Sequence, residues 1–204
     1  LTRLKQICNH PALVLKEDNI EKDFLTRSTK LQRLDEILEE VIEAGDRALL
    51  FTQFAEWGNL LKAYFQQKWK FNVPFLYGGT SKSERQAMID RFQEDPRGPQ
   101  LFLLSLKAGG IGLNLTRANH VFHIDRWWNP AVENQATDRA YRIGQTQRVI
   151  VHKFITIGSV EEKVDKMIQS KAQLAEDIIG SGEEWLGKLG INELEKLVSL
   201  KEDL

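Results

Sequence analysis

The feature that most restricts the fold is a regular alternation between short apolar runs and longer amphipathic segments. The run at 100–105 is apolar at its four central positions, as expected of a strand buried on both faces of a parallel sheet. The segments between such runs repeat their apolar residues every three or four positions, which is typical of helices packed on a sheet. Strand candidates are 47–54, 73–78, 100–105, 120–125 and 148–156; helix candidates are 28–46, 55–69, 81–95, 130–142 and 159–179. This order predicts an α/β fold, a parallel sheet with helices on both faces.

The chain divides into three parts by the regularity of this pattern. We predict a lead-in segment over 1–27, the sheet domain over 28–180 and a helical tail over 181–204. The two end segments are expected to form small helical extensions, because their apolar residues are too few for a core of their own. The first residue is Leu1 rather than methionine, so we expect a piece of a longer protein.

The composition limits the possible functions. With 28 Lys and Arg against 29 Asp and Glu, the formal net charge is −1, which argues against a basic coat but permits a local basic strip. A single cysteine, Cys8, and four scattered histidines give neither a disulfide nor a metal-binding spacing. The sequence has no apolar run of membrane-spanning length, so we expect no membrane partner. A reducing compartment follows, the cytoplasm or nucleoid, or the nucleus in a eukaryote.

Ligands of such sheets bind beyond the carboxyl ends of the strands, and polar residues cluster in the loops there. Small hydroxyls, amides, glycines and one lysine are suited to hold a nucleic-acid backbone. Each residue alone is equally consistent with an ordinary turn. The nucleic-acid candidates are Thr52, Gln53, Gly79, Thr80, Ser105 and Lys107.

A glycine-rich loop follows the most apolar strand. Gly109, Gly110 and Gly112 permit a close approach of the backbone to a phosphate, although a tight loop without a ligand is an equal alternative. The spacing is neither the dinucleotide fingerprint nor a P-loop, and G-x-x-x-x-G-K-[ST] occurs nowhere in the chain. The chain therefore lacks its own cradle for a nucleotide triphosphate.

The segment QATDRAYRIGQTQR at 135–148 places Gln135, Arg139 and Arg142 on one stripe of a predicted helix that stops at Gly144. Guanidinium groups stabilise charge on a transferring phosphoryl group, so the stripe predicts half of a shared active site. The alternative is a solvated helix face with Asp138 and Arg142 as a weak ion pair.

Several motifs together resemble one family: LKQICNHP (4–11), LLFTQF (49–54), LYGGTSKSERQAMIDRF (76–92) and the block from 103 to 149, followed by FITIGSVEEKV (154–164). They resemble the carboxyl-terminal RecA-like lobe of Swi/Snf-type ATPases of helicase superfamily two, and the tail is more similar to prokaryotic members. The resemblance implies that Thr52 and Gln53 face the DNA backbone, Gly79 and Thr80 lie near the tracking strand, and Ser105 and Lys107 contact phosphate. It further implies that Gly110, Gly112 and Asn114 face the nucleotide, and that Gln135, Arg139 and Arg142 act in catalysis.

The function implied by the resemblance is that of the second motor lobe of a double-stranded DNA translocase that displaces or remodels DNA-bound proteins. ATP and Mg²⁺ would be held mainly by an N-terminal RecA-like lobe of the same protein, and this lobe alone would be inactive. Two alternatives stay open at this point: a lobe of a strand-separating RNA or DNA helicase, and a non-motor RecA-like interaction scaffold.

Overall fold

A computed structural model describes residues 1–106, 113–127, 129–172 and 190–191. Its sheet has five strands, all parallel to their neighbours, in the order β2-β3-β1-β4-β5. The strands are β1 (Ala48–Thr52), β2 (Phe75–Leu76), β3 (Leu101–Ser105), β4 (His120–His123) and β5 (Ile150–Lys153). The helices are α1 (Thr2–Asn9), α2 (Pro11–Leu15), α3 (Thr29–Glu43), α4 (Ala55–Trp69), α5 (Lys82–Glu94), α6 (Pro130–Thr137) and α7 (Val160–Ala172). The prediction of a parallel α/β sheet is confirmed.

The side chains of the central strands alternate between two cores. Leu50 and Leu103 point to one face, where α3 and α4 cover them. Leu49 and Phe102 point to the other, where Phe92 of α5 packs against them. Burial on both faces explains why β1 and β3 are apolar at every position before their last residues, Thr52 and Ser105. Helices on both faces of the sheet are therefore confirmed as well.

Two helix starts follow from short polar signals. Ser28 accepts a hydrogen bond from the Leu31 amide at the start of α3. Ser81 and Glu84 form a reciprocal capping box at the start of α5. Gly45, with a φ of 76°, follows α3 in a left-handed conformation that favours glycine. These signals are local, because each helix end is set by residues within a few positions of it.

The segment before α3 is tied to the sheet domain by buried polar groups. His10 stacks on Phe24 at 4.2 Å and accepts from the Ala12 amide, which starts α2. Asn9 is fully buried, and its backbone carbonyl accepts from Ser28 Oγ at 2.6 Å. These contacts attach 1–27 firmly to the domain, and the boundary at residue 28 remains a prediction.

In the part of the chain that the structure describes, no helix has the length and apolar character needed to cross a membrane. The same part contains no cluster of three or more His, Cys, Asp or Glu side chains suited to a metal ion. Most of the predicted tail, 181–189 and 192–204, lies outside the described residues.

Candidate functional site

The carboxyl ends of β1 and β3 bring Thr52 and Ser105 side by side, since the two residues are register partners. Both are buried, with exposed fractions of 0% and 5%. Thr52 Oγ1 donates to the Asp125 carboxylate at 2.5 Å and accepts from the Phe54 amide. The resemblance predicts that the Thr52 side chain faces DNA. The structure does not match that expectation, because the hydroxyl is buried and hydrogen-bonded within the domain.

Asp125 is the centre of this arrangement. It is 1% exposed and accepts hydrogen bonds from Thr52, from the backbone and side-chain nitrogens of Gln53, and from Asn9 Nδ2 at 3.2 Å. Burial raises the pKa of the Asp125 carboxyl, although the bonds from Thr52 and Gln53 act in the opposite direction. Asn9 and Thr52 lie 116 and 73 positions from Asp125, so no local pattern in the sequence indicates these partners.

Gln53 is held from two sides. Its Nε2 donates to Asp125 Oδ1 at 3.0 Å, and its Oε1 accepts from Lys5 Nζ at 2.9 Å. Lys5 is 2% exposed and lies 5.7 Å from the centre of the Trp127 ring. Sequence reasoning missed Lys5, because a lysine in a short amphipathic helix usually faces solvent. Gln53 is thus a rigidly placed, half-buried amide at the end of β1.

The start of α6 is anchored to α7 through a buried arginine. Arg126 is 4% exposed and binds both Glu133 and Asp165, the latter at 2.7 Å. The Trp127 amide donates to Glu133 Oε1 at 3.0 Å. Burial opposes ionisation of Glu133, but the charge and hydrogen bonds of Arg126 outweigh it and lower the pKa of that carboxyl. These contacts fix where α6 begins.

The prediction that Gln135, Arg139 and Arg142 share one helical stripe is wrong. The helix α6 ends at Thr137, so both arginines lie in the turns that follow. The cause is tertiary: the Arg139 carbonyl accepts from the Leu115 amide at 2.9 Å instead of continuing the helix. The 3.6-residue spacing in the sequence gave no information about this competing partner.

The turn that carries the arginines is fixed by one glutamine. Gln145 Nε2 lies within hydrogen-bond distance of three carbonyl oxygens, those of Thr116, Ala118 and Ala140, at 2.8–3.0 Å. Gly144 has a φ of 100°, which lets the chain reverse before β5. The turn and the segment at 113–118 therefore form one unit.

The two arginines have opposite environments. Arg139 is 8% exposed, and burial lowers the pKa of its guanidinium, with a further contribution from the charge of Arg85. Arg142 is exposed, and its Nη1 donates to the Leu113 carbonyl at 3.4 Å. Gln135 is exposed on α6. Only Arg142 of the predicted pair is presented to a ligand outside the domain in this conformation.

Beside α5 a cleft of about 660 Å³ brings together two residues that the sequence assigned to different ligands. Thr80 and Asn114 both line it, together with Lys82 and Arg85. The turn before α5 is closed by Thr80, whose amide donates to the Tyr77 carbonyl at 3.0 Å. A Cβ at Gly79 would lie 2.7 Å from the Tyr77 ring, so glycine allows the ring its present position.

The predicted residues Lys107, Gly110 and Gly112, together with Gly109, lie outside the described residues. Their assignments to phosphate and nucleotide stay predictions.

Comparison with known proteins shows the family to which this chain belongs. Residues 29–144 match the model of the helicase conserved C-terminal domain. The putative ATP-dependent helicase/translocase YwqA of Bacillus subtilis is 52% identical over 200 residues, covering 98% of this chain and 21% of that protein. Lymphoid-specific helicase of Homo sapiens is 35% identical over 206 residues, covering 98% and 24%.

Solved structures agree. The Sulfolobus solfataricus SWI2/SNF2 ATPase core in complex with dsDNA is 44% identical with a TM-score of 0.82, covering 98% of this chain and 41% of that one. The C-terminal domain of a SWI2/SNF2 ATPase from the same organism is 42% identical with a TM-score of 0.79, covering 98% and 79%. The chain spans about a fifth to a quarter of the length of the curated relatives above. It belongs to the helicase C-terminal domain family and is the C-terminal, RecA-like lobe of a SWI2/SNF2-type ATPase.

Proposed function

We propose that this chain is the second motor lobe of an ATP-dependent translocase on double-stranded DNA. The observation that carries the proposal is Arg142, an exposed guanidinium on a turn that Gln145 holds by three carbonyl contacts. An exposed arginine on a rigid support is suited to reach a phosphoryl group bound elsewhere. The relatives' names, which include helicases and translocases, support the same assignment.

ATP and Mg²⁺ fit this chain only as ligands shared with a second lobe. Arg142 can meet the terminal phosphate from outside the domain, whereas the sequence has no P-loop to hold it. When bound, the metal supplies neutralisation of the phosphate charges. Arg142 then adds positive charge where negative charge develops in the transition state, an effect worth roughly a thousandfold or more, about 4 kcal/mol. This lobe alone is expected to be inactive.

The neighbours of Arg142 support a partner at this turn. Tyr141 is 69% exposed and Ile143 is 97% exposed, so the arginine is flanked by two large apolar side chains in solvent. Apolar side chains that flank a functional cation fit an interface formed on closure. The proposed partner is the N-terminal RecA-like lobe of the same protein.

For DNA, the proposed direct contacts are Gly79, Thr80 and Lys107. Thr52 and Ser105 are instead assigned to positioning, because their side chains are buried beneath the loops. Gln53, held by Asp125 and Lys5, sets the end of β1. Movement of this lobe against its partner would carry these loops along the duplex and displace bound proteins. The solved relative in complex with dsDNA supports a duplex substrate.

The test is Arg142→Ala in the protein with both lobes. DNA-stimulated ATP hydrolysis should fall by roughly a thousandfold, while duplex binding stays within about twofold. Arg148→Ala removes another exposed arginine, six residues later, and serves as the matched control. Normal turnover in the Arg142 variant would end the finger assignment. A strand-separation assay on the same preparation distinguishes a duplex translocase from an unwinding helicase.

A further inference from the structure

The helix α1 has an inverted distribution of its side chains. Its apolar residues Leu4 and Ile7 are exposed, whereas Lys5 and Asn9 are buried. Lys5 and Asn9 are four positions apart, so they lie on one face of the helix, the face that contacts the domain. A helix that only filled space would bury its apolar residues instead. The polar inner face of α1 therefore serves specific contacts.

Asn9 fixes one end of this face. Its Nδ2 donates to Asp125 Oδ2 at 3.2 Å, and its Oδ1 accepts from Lys30 Nζ at 3.0 Å. Lys30 is in turn held by the two carboxylate oxygens of Glu161 on α7. Both ends of the Asn9 amide are thus used inside the domain. A shift of α1 would break buried hydrogen bonds, which is costly because water does not replace them.

Lys5 extends the same face to two loops that follow different strands. Its ammonium donates to Gln53 Oε1 at 2.9 Å, at the end of β1, and lies 5.7 Å from the centre of the Trp127 ring, after β4. A cation over an indole ring is attracted to it, most strongly where water is excluded. Gln53 completes the connection, because its Nε2 donates to Asp125 Oδ1 at 3.0 Å and lies 3.5 Å from the Arg126 carbonyl oxygen.

The Trp127 end of this connection continues toward the arginine turn. The Trp127 amide donates to Glu133 Oε1 at 3.0 Å, and Glu133 lies on α6. The helix ends at Thr137, and the turn that carries Arg142 follows. The position of the Trp127 loop is therefore linked by direct contacts to the helix that precedes the exposed guanidinium.

Stability alone does not account for a lysine at this position. A buried cation loses its hydration, and an apolar side chain of similar size often stabilises a fold equally well. Burial raises the pKa of the Asp125 carboxyl, and the charges of Lys30 and Lys5 are among the effects that oppose the rise. A buried charge with fixed partners defines one geometry, which an apolar side chain would not define.

We propose that Lys5 is a positioning residue of the motor, which sets the spacing between the loop after β1 and the loop after β4 by holding Gln53 and Trp127 together. The proposal rests on the proposed function for the reaction that Lys5 serves. The lysine is buried and has no surface for DNA or ATP, so it acts through the two loops. Its loss should slow turnover and leave the affinity for ATP unchanged.

The experiment measures DNA-stimulated ATP hydrolysis in the protein with both lobes. Lys5→Met keeps the length of the side chain and should lower kcat by about tenfold, because small displacements of a site reduce the rate. The KM for ATP should stay within about twofold. Lys5→Arg should restore most of the rate, since a guanidinium can donate to Gln53 and stack on Trp127. Arg3→Met removes a positive charge from the exposed face of α1 and is the matched control, with unchanged kcat.

A double-variant cycle separates positioning from a loss of folded protein. Trp127→Leu breaks the same connection from its other end and should also lower kcat, so it tests the proposal if Lys5→Met does not fold. The double variant should be no slower than the slower single variant, because both changes remove one contact. Additive losses, or a kcat within about twofold of wild type in the folded Lys5 or Trp127 variant, would overturn the proposal. Equal losses in Lys5→Met and Lys5→Arg would overturn it too.

A spectrum of the 204-residue chain tests the contact without the motor. In a proton–nitrogen correlation spectrum, the Trp127 indole N–H signal is identified by its absence from Trp127→Leu. This signal should move in Lys5→Arg and Lys5→Met and stay in place in Arg3→Met, and an unmoved signal in the Lys5 variants would overturn the proposal. Absence of DNA-stimulated hydrolysis in the wild-type protein with both lobes would instead refute the proposed function, and with it the reaction that Lys5 is proposed to serve.

Discussion

The ion pair between α3 and α7 permits a quantitative prediction. Lys30 Nζ lies 2.7 and 2.8 Å from the two carboxylate oxygens of Glu161, and the side chains are 5% and 0% exposed. Glu161 also accepts from the Thr156 amide at 3.0 Å, and Lys30 donates to Asn9 Oδ1 at 3.0 Å. Glu161→Gln keeps the size of the side chain but leaves the Lys30 charge buried without a counter-charge.

The cost of such a change is large because water cannot reach the remaining charge. Removal of one partner of a buried pair costs about 3–5 kcal/mol of unfolding free energy. For a domain of this size, about 2–4 °C of melting temperature corresponds to 1 kcal/mol, so we expect a decrease of about 6–20 °C. Circular dichroism during urea and thermal unfolding at pH 7 measures both quantities.

The same helix offers a matched control. Arg33 and Glu36 form a pair at 2.8 Å whose side chains are 63% and 61% exposed. Glu36→Gln makes the identical chemical change in solvent and should cost only a small fraction of the loss at Glu161. The double variant Lys30→Met, Glu161→Leu should be more stable than Glu161→Gln, since no unpaired charge remains. Equal effects of Glu161→Gln and Glu36→Gln would refute the reasoning.

Two more predictions concern the two cores of the sheet. Gly58→Ala should destabilise the domain by about 1–3 kcal/mol in urea unfolding, because the new Cβ would lie 2.2 Å from the Phe75 ring. This loss should exceed the gain from the better helix propensity of alanine. Asn59→Ala changes the exposed neighbour on α4 and should be close to neutral. Burial lowers the pKa of His123 to about 4, so the folded state resists a proton that the unfolded state binds near pH 6.5. Stability from this group is present above pH 6.5 and is lost as the pH falls toward 4, by about 2 kcal/mol at pH 5. His123→Gln should therefore reduce the loss of stability between pH 7 and pH 5, and an unchanged pH dependence would contradict this assignment.

The sheet could be predicted from sequence because its signals are local and repeated. Apolar runs such as 101–104 indicate strands buried on both faces, and the Ser81–Glu84 spacing indicates a helix start. Register and strand order were not predicted, because they depend on which strands pair, information that no single segment contains. The structure supplies that pairing, and with it the adjacency of Thr52 and Ser105.

The site was harder to predict because its decisive contacts join distant residues. Asn9 and Asp125 lie 116 positions apart, and Lys30 and Glu161 lie 131 apart. Each of these residues is of a type that is usually found at the protein surface. These polar side chains can be buried only because each has its hydrogen-bond or ion-pair partner. A polar residue in an amphipathic segment therefore does not by itself indicate that it will be buried. The lead-in segment therefore contributes Lys5 and Asn9 to the strand-end network, which its sequence did not indicate.

The same reasoning separates the two arginines of the predicted pair. Arg139 is 8% exposed, so a substitution of its side chain removes buried packing as well as the charge. Arg142 is exposed, so its replacement leaves the turn's three Gln145 contacts in place. Loss of activity in an Arg139 variant would thus be ambiguous between geometry and chemistry, whereas loss in an Arg142 variant reports on chemistry. Since Arg139 is buried and the proposed catalytic role falls to Arg142, the exposed arginine is the one that can test the proposed shared active site.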